Sequence, residues 1–186
     1  DIFAGLKDQP WNTFDGVHYG VPHGRGANLL MWRTADVTTP PTKWAEMFDP
    51  AGPYAGKYSV YDAPIYIADA AVVLMNTNPE LGIKNPYALD DTQFAAAIDL
   101  LKKQKPAVGE YWNDYVKQIT SYTNGDTVLG TGWQTIANYL NSTGVPVQTA
   151  KAAEGATGWS DTWMINSKTE HPNCAYKFIN HITSPE

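Results

Sequence analysis

The chain has 186 residues, 43% hydrophobic and 17% charged, with a formal net charge of −6. Such a length holds one domain, or one large and one partial domain, with enough apolar residues for a core and too few charges for disorder. The negative balance excludes the basic face that phosphate backbones require, so no nucleic-acid partner is expected.

In chain order, the opening "DIFAGLKDQPW" shows no signal peptide and reads as the start of a mature or excised polypeptide. "VHYGVPHGRGANLLMWRT" holds two apolar runs broken by "PHGRG", which predicts a strand, a glycine-rich crossing and a second strand. "TPPTKWAEMF" predicts a short helix with Thr42 as N-cap. "GKYSVYD" reads as a strand, and "PIYIADAAVVLMN" as a helix with Pro64 in its first turn, where a missing N–H does no harm. In "LDDTQFAAAIDLLKKQKP" the apolar residues Phe94, Ala97, Ile98 and Leu101 follow helical spacing, with acids at the start and lysines at the end to match the helix dipole. "GEYWNDYVKQITSYTNG" predicts a second amphipathic helix. "DTVLGTGW" then gives a strand, "QTIANYLNSTG" a helix and "VPVQTA" a strand. "EGATGWSDTWMINS" follows as a strand opened by glycines, and "HPNCAYKFINHITSPE" as the last helix. There Cys174, the only cysteine, reads as a small hydrophobe and rules out an intramolecular disulfide. No stretch approaches the roughly 18 apolar residues of a membrane span.

Strand and helix alternate almost throughout, which predicts an α/β fold with a mostly parallel sheet flanked by helices. Such sheets bind ligands at the carboxyl ends of their strands. Three loops at those ends, "SVYDAPIY", "LGTGWQT" and "ATGWSDTW", hold Asp62 and Tyr66, then Trp133, then Trp159 and Asp161. Asp62 also reads as an N-cap of the helix after it, and each tryptophan as a packing residue. Together they suit an amine, whose charge needs a carboxylate once desolvated and whose methylenes favour aromatic faces. Asp161 is the sharpest case, because an aspartate between apolar strand residues needs either a turn to cap or a cation to meet.

Other chemistry finds little support. His18 and His23 lack a third ligand at metal spacing, no phosphate loop or serine-nucleophile elbow is present, and no cofactor is expected. Asn141 begins a formal glycosylation triplet that also reads as a plain loop after a helix. Paired carboxylates for glycoside chemistry would meet only in space, so a sugar-binding protein or glycoside hydrolase fragment using tryptophan platforms stays as the alternative. An interaction module is a third reading.

The order of "YGVPHGRGANLLMWRT", "TKWAEMFDPAGPYAGKYSVYDAP", "GDTVLGTGW" and "EGATGWSDTWMINSKTEHPNCAYKFINHITSPE" resembles the periplasmic spermidine/putrescine-binding proteins of ABC importers and their relatives. The resemblance implies two α/β lobes joined by crossing strands with the ligand held between them, no catalysis, and a periplasmic or membrane-associated extracellular location. It implies that residues 1–23 are a remnant of the first lobe with a crossing strand, 24–155 the second lobe, and 156–186 a crossing strand and helix of the first lobe. Roughly a hundred further residues before Asp1, and some after Glu186, would then form most of the first lobe. Trp159 and Asp161 look like the family's tryptophan and amine-binding aspartate, Trp133 like the ring that stacks on the ligand, and Asp62 or Tyr66 like a second ligand-binding position. Arg25, in a crossing where relatives more often carry aromatic residues, would favour a zwitterion or small quaternary amine over a long polyamine. The partners implied are a small amine solute, the importer's membrane subunits and the missing part of the first lobe, and an isolated lobe would be prone to self-association.

Overall fold

The structure, a computed structural model, describes residues 2–184. After a short 3₁₀ turn at Ala4–Leu6, the chain runs through β1 (Thr13–Phe14), β2 (Val17–His18), β3 (Val21–Ala27), β4 (Leu29–Arg33), α1 (Ala45–Phe48), β5 (Tyr58–Tyr61) and α2 (Ile65–Thr77). It continues through α3 (Asp91–Gln104), β6 (Val108–Trp112), α4 (Tyr115–Asn124), β7 (Leu129–Gly132), α5 (Gln134–Ser142), β8 (Val147–Ala150), β9 (Gly158–Trp163) and α6 (Pro172–Ile182). Two compact units result. One is Ala27–Thr157; the other joins the residues up to Gly26 with those from Gly158 onward. No helix among the described residues is long and apolar enough to cross a membrane.

Ala27–Thr157 is an α/β lobe around a five-stranded sheet in the order β6-β5-β7-β4-β8. β5 runs parallel to β6 and β7, whereas β4 is antiparallel to both β7 and β8, so the sheet is mixed through one reversed strand. β4 shows why both faces are covered. Leu30 and Trp32 enter one apolar cluster with Trp44, Val60, Ala70 and Val73, while Met31 enters another with Trp112, Tyr122, Ile136 and Leu140. A strand buried on both faces reads as a continuous apolar run, as "LLMW" does.

α3 follows its local code. Asp90 accepts from Gln93 N at 2.9 Å while Gln93 Oε1 accepts from Asp90 N at 3.1 Å, a reciprocal cap. Of its predicted apolar stripe Ala97 is fully buried, but Phe94 is 47% exposed. The helix expected over residues 109–125 is instead two elements. Val108–Trp112 pairs with β5, and α4 begins only at Tyr115, where Asp114 accepts from Val116 N at 2.8 Å. Apolar residues at 111, 112, 115, 116 and 119 mimic helical spacing, and the strand's partner is remote in sequence.

Thr42 does not cap α1. Its N–H and hydroxyl both bond Glu46 Oε1, at 2.9 and 3.2 Å. The free amides at the start of α1 go to a remote carboxylate, with Trp44 N 3.1 Å and Ala45 N 3.2 Å from the two oxygens of Glu154. The Trp44 indole donates to Gly155 O at 2.9 Å, so the segment after β8 is clipped onto α1.

In the other unit, β1 and β2 form a hairpin whose turn residues Asp15 and Gly16 have φ of 48° and 75°, the left-handed pair that a two-residue hairpin prefers. β3 and β9 make a two-stranded ribbon. The glycine-rich "PHGRG" therefore lies inside a strand rather than breaking one. Cys174, expected to pack as a hydrophobe, is exposed on α6. Residues 185 and 186 of the expected last helix lie outside the described residues.

Candidate functional site

The parallel strands β5, β6 and β7 end side by side, and each end carries an aromatic residue. Tyr61 closes β5, Trp112 closes β6, and Trp133 follows β7. Tyr61 stacks on Trp112 with centroids 4.5 Å apart and planes at 27°. Trp133 meets both edge-on, 5.3 Å from Tyr61 and 5.1 Å from Trp112. Edge-to-face and offset contacts of this kind are the favoured aromatic geometries. Trp112 is fully buried and anchors the cluster, while Tyr61 and Trp133 are half-buried. The sequence reading missed Trp112 because it placed that residue on a helix; the alternation in "VGEYW" was the available signal.

The Trp133 indole is fixed at its polar end as well. Its Nε1–H donates to Asn28 Oδ1 at 3.2 Å. Asn28 Nδ2 donates to Asp69 Oδ2 at 2.8 Å and to Thr157 Oγ1 at 3.1 Å, and the Thr157 hydroxyl donates to Asp69 Oδ1 at 2.6 Å. Asn28, Asp69 and Thr157 are buried, and Asn28 N also donates to Thr157 O at 3.0 Å. Burial pushes the Asp69 carboxyl up to about 7, against the opposing pull of the Thr157 and Asn28 hydrogen bonds. None of these three was picked out from sequence, although an acid inside the otherwise apolar "PIYIADAAVVLMN" is a visible anomaly.

Asp62 is exposed just past β5, and no side chain caps α2. It lines a surface cavity of about 470 Å³ with Tyr66, Leu101, Lys102, Lys105 and Tyr111. Burial, then the charge of Asp62, raises the Tyr111 hydroxyl above its ordinary range. Tyr66 is only 4% exposed, and its hydroxyl donates to Gln104 Oε1 at 2.9 Å while Gln104 Nε2 is held by Met47 O. That hydroxyl is committed to the core.

On the β3–β9 ribbon, the Trp159 indole lies directly on Gly26, where any Cβ would overlap its six-membered ring. Asp161 stands over Gly24, its Oδ2 3.9 Å from where a Cβ would be. Asp161 is exposed, and among the described residues its carboxylate has no hydrogen-bond or ion-pair partner. It caps nothing. Arg25 does not pair with it; the guanidinium carbon sits 5.7 Å from the centroid of the Trp11 ring, a cation–π contact. His23 packs edge-on against Trp163, with centroids 4.9 Å apart. No cluster of three or more metal-ligating side chains exists among the described residues.

The family profile of bacterial extracellular solute-binding proteins matches residues 2–186. The chain belongs to that family. The family is a non-catalytic, extracellular one, which removes the glycoside hydrolase reading. Its fold is similar to that of a putative spermidine/putrescine ABC transporter protein from Listeria monocytogenes, with a TM-score of 0.76 at 17% identity over 96% of this chain and 52% of that one. It is similar to the Atu4243 GABA receptor, with a TM-score of 0.72 at 24% identity over 90% of this chain and 49% of that one. MotA of A. tumefaciens B6, solved with glucopine, gives a TM-score of 0.72 at 17% identity over 95% of this chain and 54% of that one. The chain therefore spans about half the length of these structures.

Proposed function

We propose that this chain is part of the solute-binding component of an ABC importer and that its solute is a small amine, cationic or zwitterionic. The observation that carries this reading is Asp161, a carboxylate without a partner among the described residues, two positions from an indole seated against a glycine. A desolvating ammonium needs such a charge, and its methylenes or N-methyls need such a ring face. Trp133, braced by Tyr61 and Trp112, serves as a second ring. Asp62 is a lesser contributor, since Lys102 and Lys105 share its cavity and oppose a cation. Tyr66 supports the wall beneath it. Arg25 takes the carboxylate of a zwitterion, which moves the choice away from long polyamines. Relatives of this fold are described with spermidine/putrescine, GABA and glucopine, which agrees with an amine.

Titration calorimetry against putrescine, spermidine, choline, betaine and γ-aminobutyrate tests the reading, with at least one of them expected to bind. Asp161→Ala should weaken that binding by about 2–5 kcal/mol, because the solute's charge is left unpaired. Silence across the panel, or full affinity in Asp161→Ala, refutes it.

A further inference from the structure

Asp69 lies in the middle of α2 among Ala68, Ala70, Ala71 and Val72, fully removed from solvent. Among the described residues no charged side chain acts on it; its surroundings contribute Asn28 and Thr157, neither of which titrates. Tyr66, one turn earlier on α2, feels its charge, and the Tyr66 hydroxyl is itself held well above its ordinary range by burial. A buried, unpaired carboxyl is costly, so an inert role would be served as well by an apolar residue of similar size.

The hydrogen-bond directions show what the carboxyl does. Asn28 presents its Nδ2 to two acceptors, Asp69 Oδ2 and Thr157 Oγ1, and its Oδ1 to the Trp133 indole N–H. A flip of this amide would set Oδ1 against the carboxylate and Nδ2 against the indole donor. Both contacts would then repel. The acceptor character of Asp69 therefore fixes the sense of Asn28, and the sense of Asn28 supplies the acceptor that holds Trp133.

We infer that Asp69 is a positioning residue for solute recognition, which through Asn28 sets the orientation of the Trp133 indole and with Thr157 ties together the two places where the chain enters and leaves Ala27–Thr157. The functional half rests on the reading that Trp133 touches solute. When Asp69 gains a proton, the carboxyl turns donor on one oxygen and Asn28 loses its charge-assisted bond, roughly half the strength of that interaction. Indole placement is then less tightly held.

The test follows the indole N–H resonance of Trp133 in ¹⁵N-labelled protein, assigned by its loss in Trp133→Phe, from about pH 5 to 9. The resonance should move with one midpoint near neutrality, and it should be flat in Asp69→Asn. It should also be flat in Asn28→Ala, which keeps the carboxyl but cuts the link and serves if Asp69→Asn fails to fold. A wild-type resonance without pH dependence, or one that still titrates in Asn28→Ala, overturns the inference. Calorimetry with putrescine and γ-aminobutyrate adds the functional arm. Asp69→Asn should weaken binding about fivefold, and its loss should not add to that of Trp133→Phe. Additive losses overturn the positioning role. Undiminished binding in Trp133→Phe would instead refute Trp133 as a solute contact, while the indole titration still decides the coupling.

Discussion

Trp159 keeps its place on the ribbon because Gly26 offers a bare Cα, and a side chain there would occupy the ring's own volume. The indole is the far end of a movable side chain, so it would yield rather than the backbone. Gly26→Val should therefore lower solute affinity about tenfold while leaving far-UV circular dichroism unchanged, at a cost of roughly 1.4 kcal/mol in binding. Unaltered affinity would mean that Trp159 is not a solute contact. Trp159 and Asp161 could be singled out from sequence because they are near neighbours whose chemistry is odd for a strand. Asp69 could not be given its role that way. Its partners Asn28 and Thr157 lie 41 and 88 positions away, and no local pattern joins them. Tyr66 follows the same loop as Asp62 in sequence, yet its hydroxyl turns inward to Gln104, a commitment no local pattern announces.

The elements divide along the same line. α3 was legible because its cap, its alanine face and its terminal charges are all written within one stretch. β6 was not, since a strand becomes one only by pairing with β5, and its apolar spacing is shared with a helix. The start of α1 was misread for the same reason, its cap being supplied by Glu154 from beyond β8. Glu154→Gln keeps one acceptor oxygen but removes the other and the favourable charge at the helix start, at a cost of about 1 kcal/mol. Urea unfolding should show a lower midpoint with an unchanged slope. A midpoint equal to wild type would show that α1 is held by Trp44 and Met47 packing alone.

For the whole molecule, Asp69 makes stability depend on pH. Its carboxyl titrates near 7 in the folded state against an ordinary 3.8, so the folded state holds the extra proton between those values. The stabilising contribution is complete below about pH 4 and is lost as pH rises through about 7. The wild type, compared with Asp69→Asn at each pH, should lose stability between pH 5 and pH 8; a constant difference between the two proteins would contradict this. α/β class, helix-flanked sheet and solute-binding family were all readable in sequence, whereas the reversed β4 was not, because strand direction is a property of pairing. The bond from Asn28 N to Thr157 O has a wider meaning. The ends of the 131-residue stretch Ala27–Thr157 stand one peptide contact apart, so a gene could acquire, drop or exchange it as a whole cassette without a long splice to rejoin the chain.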